Sequence, residues 1–300
     1  MFRRRKFRLR LPAVAGLPSG TLPLGERTLI MGVLNVTPDS FSDGGLYLDA
    51  DRAVARAFEI ERAGADILDI GGESARPGAE PVSVEEELRR ILPVLRKLHG
   101  LLKIPISVDT SKAEVAAAAA AAGAQILNDV SALRRDPRLA DVARRRKLPL
   151  VLMHMRGDPR TMQKGPFARD VLRDVAAGLR LAVTRARRAG IPRSQLILDP
   201  GIGFGKTFEQ NFQLLARLPD LARLGFPLLV GASRKKFIAE ALGGVPAGDR
   251  QWGTAAAVVA SILQGAHIVR VHDVAEMVQV ARLADAVLQP RLVRARPKSK

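Results

Sequence analysis

The chain contains no cysteine, which removes disulfide scaffolds, thiolate zinc sites, iron–sulfur clusters and cysteine nucleophiles in one step. Aromatic residues make up only 4% of the 300 positions, leaving little stacking surface for single-stranded nucleic acid. Histidine is sparse at four, and no His-x-His follows the first apolar run, so the zinc cluster common among barrel hydrolases is missing. No apolar run approaches the roughly 18–20 residues of a membrane span. Acids are also outnumbered, 30 against 48 lysines and arginines, for a formal net charge of +18.

That charge is concentrated at the ends. Arg3, Arg4, Arg5, Lys6, Arg8 and Arg10, with Arg291, Arg294, Arg296, Lys298 and Lys300, supply eleven of the eighteen units, and neither segment carries an acid. Such tails are solvated, and the mildly basic remainder suits an anionic small-molecule substrate rather than nucleic acid. The stretch Leu11 to Leu17 is short and interrupted by Pro12 and Gly16. It makes a poor signal-peptide core, so the expected compartment is the cytoplasm, with no membrane association.

Between the tails, eight short runs rich in Val, Ile and Leu recur: 28–33, 66–70, 104–108, 125–127, 148–152, 195–198, 227–230 and 266–271. Continuous apolar runs of this length suit strands buried on both faces, as in parallel sheets. A helical pattern follows each. Ser83 with Glu86, and Ser111 with Glu114, have capping-box spacing. Gly64, Gly123, Gly190, Gly225 and Gly265 precede the next run, where glycine takes the left-handed C-cap. Eight strands alternating with helices allow a (β/α)8 barrel or a doubly wound open sheet. The count and length favour the α/β barrel, a TIM barrel formed by residues 28–288 as one domain. Residues 1–27 are then a basic tail with a short hairpin closing the barrel bottom, and 289–300 a second basic tail.

Barrel active sites form at the C-terminal ends of the strands. At or just past the ends of the apolar runs stand Asn35; Asp69 with Glu73 and Arg76; Asp109; Asn128; His154; Asp199; Ser233 with Lys235; and Arg270 with His272. One aspartate after a strand is usually a helix cap. Eight coincident polar positions point instead to an enzyme site. Asp109, Asp199 and Asn128 suit a neutral heterocycle carrying several N–H groups. Arg76, Lys235, Arg270 and His272 suit a phosphorylated or carboxylated ligand. With few histidines and no thiols, the expected metal is a hard, oxygen-bound ion such as Mg²⁺. Residues 200–207, Pro-Gly-Ile-Gly-Phe-Gly-Lys-Thr, fall one residue short of a phosphate-cradling loop. Pro200 has no amide hydrogen to offer in the first glycine's place. The stretch therefore reads as a glycine-lined wall against a flat ligand, and Lys206 as a solvated charge.

Read with their neighbours, these residues resemble the dihydropteroate synthase family. The segments are MGVLNVTPDSFSDGG (31–45), DIGGESARPGAE (69–80), SVDTSK (107–112), LNDVS (127–131), LMHMRGDPRTMQ (152–163), LDPGIGFGKT (198–207), GASRK (231–235) and RVHDV (270–274). The resemblance implies a (β/α)8 barrel and a homodimer. The implied reaction joins 6-hydroxymethyl-7,8-dihydropterin diphosphate to 4-aminobenzoate and releases diphosphate. It further implies that Asp109, Asn128, Asp199 and Lys235 hold the pterin. Asn35 resembles the Mg²⁺ ligand, and Arg270 and His272 the diphosphate anchors. Ser233, Phe41, Arg76 and Pro77 resemble the aminobenzoate pocket, and Asp43 lies in the catalytic first loop. One position departs from the family pattern: Ala75 stands where the second loop usually carries threonine. Two alternatives share the barrel, a methyltransferase moving a methyl group from a folate to a corrinoid, and a non-catalytic pterin-binding paralogue. The intact 35–45 loop and the charged anchors favour the synthase. Glycines 44, 45, 71, 72 and 78 further suggest that aminobenzoate binds only after the pterin and diphosphate sites fill.

Overall fold

Successive side chains of a strand point to opposite faces, and that alternation builds this molecule around a closed sheet. The computed structural model describes residues 4–14, 16, 18–37, 46–74, 78–165 and 167–290. The chain opens with an antiparallel hairpin, β1 (Phe7–Leu11) and β2 (Gly20–Leu24). The repeat then runs β3 (Leu29–Asn35), α1 (Leu46–Arg62), β4 (Ile67–Gly71), α2 (Val84–Leu98), β5 (Ile106–Asp109), α3 (Ala113–Ala121) and β6 (Ile126–Asp129). It continues with α4 (Leu139–Arg146), β7 (Leu150–Met153), α5 (Val171–Arg188), β8 (Leu196–Asp199), α6 (Phe208–Ala216) and α7 (Leu218–Ala222). The last elements are β9 (Leu229–Val230), α8 (Lys236–Ala241), α9 (Gln251–Leu263), β10 (Ile268–Val271) and α10 (Val274–Leu288).

Eight strands pair in parallel in the order β8-β7-β6-β5-β4-β3-β10-β9. The ring closes through a parallel bridge between Leu198 and Leu228, where Leu198 N donates to Pro227 O at 3.0 Å. This is the (β/α)8 barrel. Pro227 opened the seventh apolar run, but proline has no N–H for the ladder, and β9 keeps only Leu229 and Val230. Among the described residues no helix is long and apolar enough to cross a membrane.

Outward residues such as Leu68, Ile70, Leu127, Leu196, Leu198 and Val269 join the large core beneath the helices. Inward residues at the lower level, among them Met31, Ile67, Ile126, Val151, Ile197 and Ile268, form a second apolar core. Leu9, Leu11 and Leu24 of the hairpin cap it from below. Two residues further along four of these strands stands an inward polar side chain: Asp69 after Ile67, Asn128 after Ile126, Asp199 after Ile197 and Arg270 after Ile268. An apolar layer therefore carries a polar layer directly above it. Asn35, Asp109 and Asp199 are the last residues of their strands and Asn128 the last but one of β6, not loop residues as the apolar runs suggested.

The helix signals divide. Ser83 Oγ accepts from Glu86 N at 3.2 Å and caps α2. Ser111 does not cap α3: the helix starts at Ala113, whose N–H goes to Asp136 Oδ2 at 2.9 Å from the loop after β6. A reciprocal capping box forms instead at Thr207 and Gln210, at the head of α6. The five C-terminal glycines all have φ between +78° and +110°, the region that other residues resist.

Candidate active site

The polar layer is knit together by one guanidinium. Arg270 Nε donates to Asp69 Oδ2 at 2.6 Å and Nη2 to Asp109 Oδ2 at 3.0 Å. Asn128 Nδ2 donates to the same Asp69 oxygen at 3.1 Å. Asp69, on which no role was placed from sequence, is fully buried at the centre of the layer. Its signal was there, in the same apolar-x-polar spacing as Asn128 and Asp199. Burial opposes the charge on Arg270, but Asp69 and Asp109 outweigh it and raise its pKa. Burial drives the Asp109 carboxyl up to about 7, with Arg270 restraining the shift and Asp69 adding to it. The barrel interior thus holds carboxylates partly neutralised by an internal cation, an arrangement that can exchange partners when a ligand brings N–H donors of its own.

Across the barrel, Asp199 Oδ1 accepts from Gly201 N at 2.7 Å. Burial raises the Asp199 pKa while Lys235 works against the rise. Lys235 is pulled down to about 7, chiefly by burial. Its Nζ donates to Ile202 O and stands 4.3 Å from the centre of the Phe204 ring. Ser233 Oγ accepts from His272 N at 3.3 Å and lies 3.0 Å from His272 Nδ1. Between Ser233 and Lys235, Arg234 adopts φ +58°, a left-handed conformation that costs a non-glycine residue roughly 1 kcal/mol. Three contacts hold it there. The Arg234 guanidinium pairs with Asp273, its N–H goes to Thr254 Oγ1 at 3.0 Å, and its carbonyl accepts from Arg250 Nη1 at 2.9 Å.

Strand register lines up Asn35, Gly71, Asp109 and Asn128 on four adjacent strands. A Cβ on Gly71 would sit 3.5 Å from Asp109 Cβ and 3.8 Å from Asn35 Oδ1, so glycine keeps the space between them open. A cavity of about 350 Å³ opens over β4 to β7, with Glu73, Asp109, Ser131, Arg134 and Met155 on its wall. Glu73 does not face it as a free acid. It is held by Lys112 and by Arg135 at 2.6 Å, which keep its pKa low against burial. His154 lies behind the 201–205 loop. Lys206 is buried at 3% exposure rather than solvated, because the loop folds over its side chain. Phe41, Asp43, Ala75, Arg76 and Pro77 lie outside the described residues.

Residues 31–272 match the family described as pterin binding enzyme. The chain is 49% identical over 263 residues to a dihydropteroate synthase of Synechocystis, covering 88% of this chain and 91% of that protein. It superimposes on the Yersinia pestis dihydropteroate synthase in a sulfonamide drug complex with a TM-score of 0.86 at 43% identity, covering 94% and 99% of the two chains. Against the Xanthomonas albilineans dihydropteroate synthase with 4-aminobenzoic acid, the TM-score is 0.83 at 45% identity, covering 92% and 96%.

Proposed function

We infer the chemistry from kinship and geometry together, for the chain belongs to the pterin-binding enzymes and falls among the dihydropteroate synthases. It is a transferase. The C–O bond between the pterin methylene and diphosphate breaks, a C–N bond to the arylamine forms, and the amine loses a proton, giving 7,8-dihydropteroate and diphosphate.

The residue roles are our proposal. The observation that carries them is the buried layer in which Arg270 bridges Asp69 and Asp109 while Asn128 holds Asp69. A flat pterin with ring N–H groups pairs with Asp109 and Asp199 and with the amide of Asn128, and Lys235 lies against it. Arg270 uses two of its five donors internally and keeps others for the diphosphate, beside His272. Preorganised charge at this end stabilises the leaving anion, and the buried carboxylates stabilise positive charge growing on the methylene. The weakly basic arylamine needs positioning more than a strong base, and Ser233, with Phe41, Arg76 and Pro77, is proposed to position it, with Asp43 in the first loop.

The donor set fits Mg²⁺. Asn35 offers a hard amide oxygen across Gly71 from Asp109. No group of three or more His, Cys, Asp or Glu forms a metal cage among the described residues; Asn35 would hold the ion from the protein side, and oxygens of the diphosphate and water would supply its other donors. When bound, the ion neutralises charge on the departing diphosphate. We propose a homodimer working in the cytoplasm. Trp252, Leu283 and Val287 of α9 and α10 are exposed by 82%, 70% and 52%, and these outer helices offer apolar surface to a second copy.

The test is diphosphate release from the pterin substrate with and without 4-aminobenzoate. Release that depends on both substrates is expected, and no release with both present rejects the reaction. Excess chelator should abolish turnover and Asn35→Ala should reduce it at least tenfold. Full activity in chelator rejects the metal.

A further inference from the structure

The glycine loop 201–205 is pressed against the residues that follow β7. A Cβ on Gly201 would collide with the carbonyl oxygen of His154, and one on Gly205 with that of Arg156. Lys206 fastens this contact. Its Nζ lies 2.9 Å from Phe204 O, 3.2 Å from His154 Nδ1 and 3.4 Å from His154 O. An ammonium has three N–H donors and no acceptor, and here three acceptors surround it. Burial pulls the Lys206 pKa down to about 7; while the amine carries its charge, Nδ1 accepts and the proton sits on Nε2, which faces Asp174 Oδ2 at 3.4 Å. Arg156 Nη1 secures the other Asp174 oxygen at 2.9 Å. Burial and the neighbouring cations keep His154 neutral, down to about 3, in agreement with that assignment.

The fastened segment carries two groups that reach the site. Ile202 O accepts from Lys235 Nζ, and the Phe204 ring lies under the same ammonium. We propose that Lys206 is a positioning residue for the pterin substrate: by tying Phe204 O to the end of β7, it sets the height of the Phe204 ring and the Ile202 carbonyl, and through them the place of the Lys235 ammonium beside Asp199. Lys206 itself touches no substrate. It acts through a chain of contacts running from Asp174 and His154 on one side of the loop to Lys235 on the other. The inference rests on the pterin reading of the pocket given above.

The experiment compares Lys206→Met with the wild type in steady-state kinetics, thermal melting and calorimetric titration with a non-reacting pterin. The expected result is a tenfold or larger rise in both the pterin KM and the pterin Kd. The 4-aminobenzoate KM should stay within twofold and the melting temperature within a few degrees. Unchanged pterin affinity overturns the proposal, and so does a parallel loss of both substrates' KM values with the melting temperature, which would make Lys206 merely structural. Should Lys206→Met fail to fold, Asp174→Ala decides. It removes the partner that orients His154, and is expected to raise the pterin Kd two- to fivefold without shifting the melt. An unchanged Kd there overturns the proposal. Absence of wild-type turnover would reject the reaction instead, while the ratio of pterin Kd values still reports on Lys206.

Discussion

Asp109 stands under two opposed influences. Burial pushes its carboxyl up to about 7, while Arg270 at 3.0 Å favours the ionised form. A pterin ring offers N–H donors, so it binds the carboxylate and not the neutral acid. Binding must then strengthen as the pH rises from 5.5 toward 7, by up to tenfold per unit, and stop strengthening above that. Lys235 titrates near the same pH with the opposite sign, holding its charge below about 7 and losing it above. The wild type should therefore show an acid limb from Asp109 and an alkaline limb from Lys235. Asp109→Asn is expected to remove the acid limb, leave the alkaline one, and weaken pterin binding by about 2 kcal/mol at neutral pH through loss of a charge-assisted buried contact. Calorimetric titration of a pterin at several pH values between 5.5 and 8.5 reads both effects. An acid limb that survives in Asp109→Asn assigns the titration to another group.

At the scale of elements, the lesson lies in the helix starts. Ser83 and Ser111 present the same sequence signature, yet only Ser83 caps. The difference is tertiary: Asp136, 23 residues downstream, reaches Ala113 N first. Local spacing cannot see that competitor. Conversely, Thr207 and Gln210 form a full capping box in a stretch whose glycines drew attention to phosphate binding instead. The two serine readings separate experimentally. Asp136→Ala should cost about 1 kcal/mol, the usual magnitude for a lost helix cap. Ser111→Ala should stay within about 0.5 kcal/mol. Chemical denaturation of the two variants checks both, and the opposite ranking would return the cap to Ser111.

For the whole molecule, what could be read in advance is whatever repeats locally. The eight-fold beat of apolar run and helix foretold the barrel because each unit must bury its strand on both faces, and Asn35, Asp109, Asn128, Asp199 and Arg270 stand at or near the strand ends where the apolar runs put them. What long-range contact decides was not legible: the burial of Lys206, and the bonds from Asn128 and Arg270 that centre the layer on Asp69 even though its inward spacing could be read, depend on neighbours remote in sequence. The most remote case is at the barrel bottom. Arg4, read from sequence as part of a solvated tail, is buried, and its guanidinium pairs with Asp285 of α10, 281 residues away. Arg4 Nη1 also donates to Thr28 Oγ1 at 2.8 Å and Ala266 O at 3.1 Å, tying the start of the chain to β3, β10 and the last helix. The Asp285 carboxylate keeps Thr28 N at 2.7 Å and Thr28 Oγ1 at 2.9 Å as further donors. Removing one partner of a buried pair leaves the other charge uncompensated, at roughly 3–5 kcal/mol, and the Thr28 donors bring the expectation to the lower end. Arg4→Met should lose about 3 kcal/mol, lowering the melting temperature by about 5 °C for a chain of this size. Because the pair lies at the end of the barrel opposite the polar layer, both substrates' KM values should be unchanged well below the melt. Adding Asp285→Asn removes the stranded charge, so the double variant should be more stable than Arg4→Met alone, a coupling that neither side chain could show as a solvated residue. An Arg4→Met melt within a degree of the wild type would return Arg4 to the solvated tail.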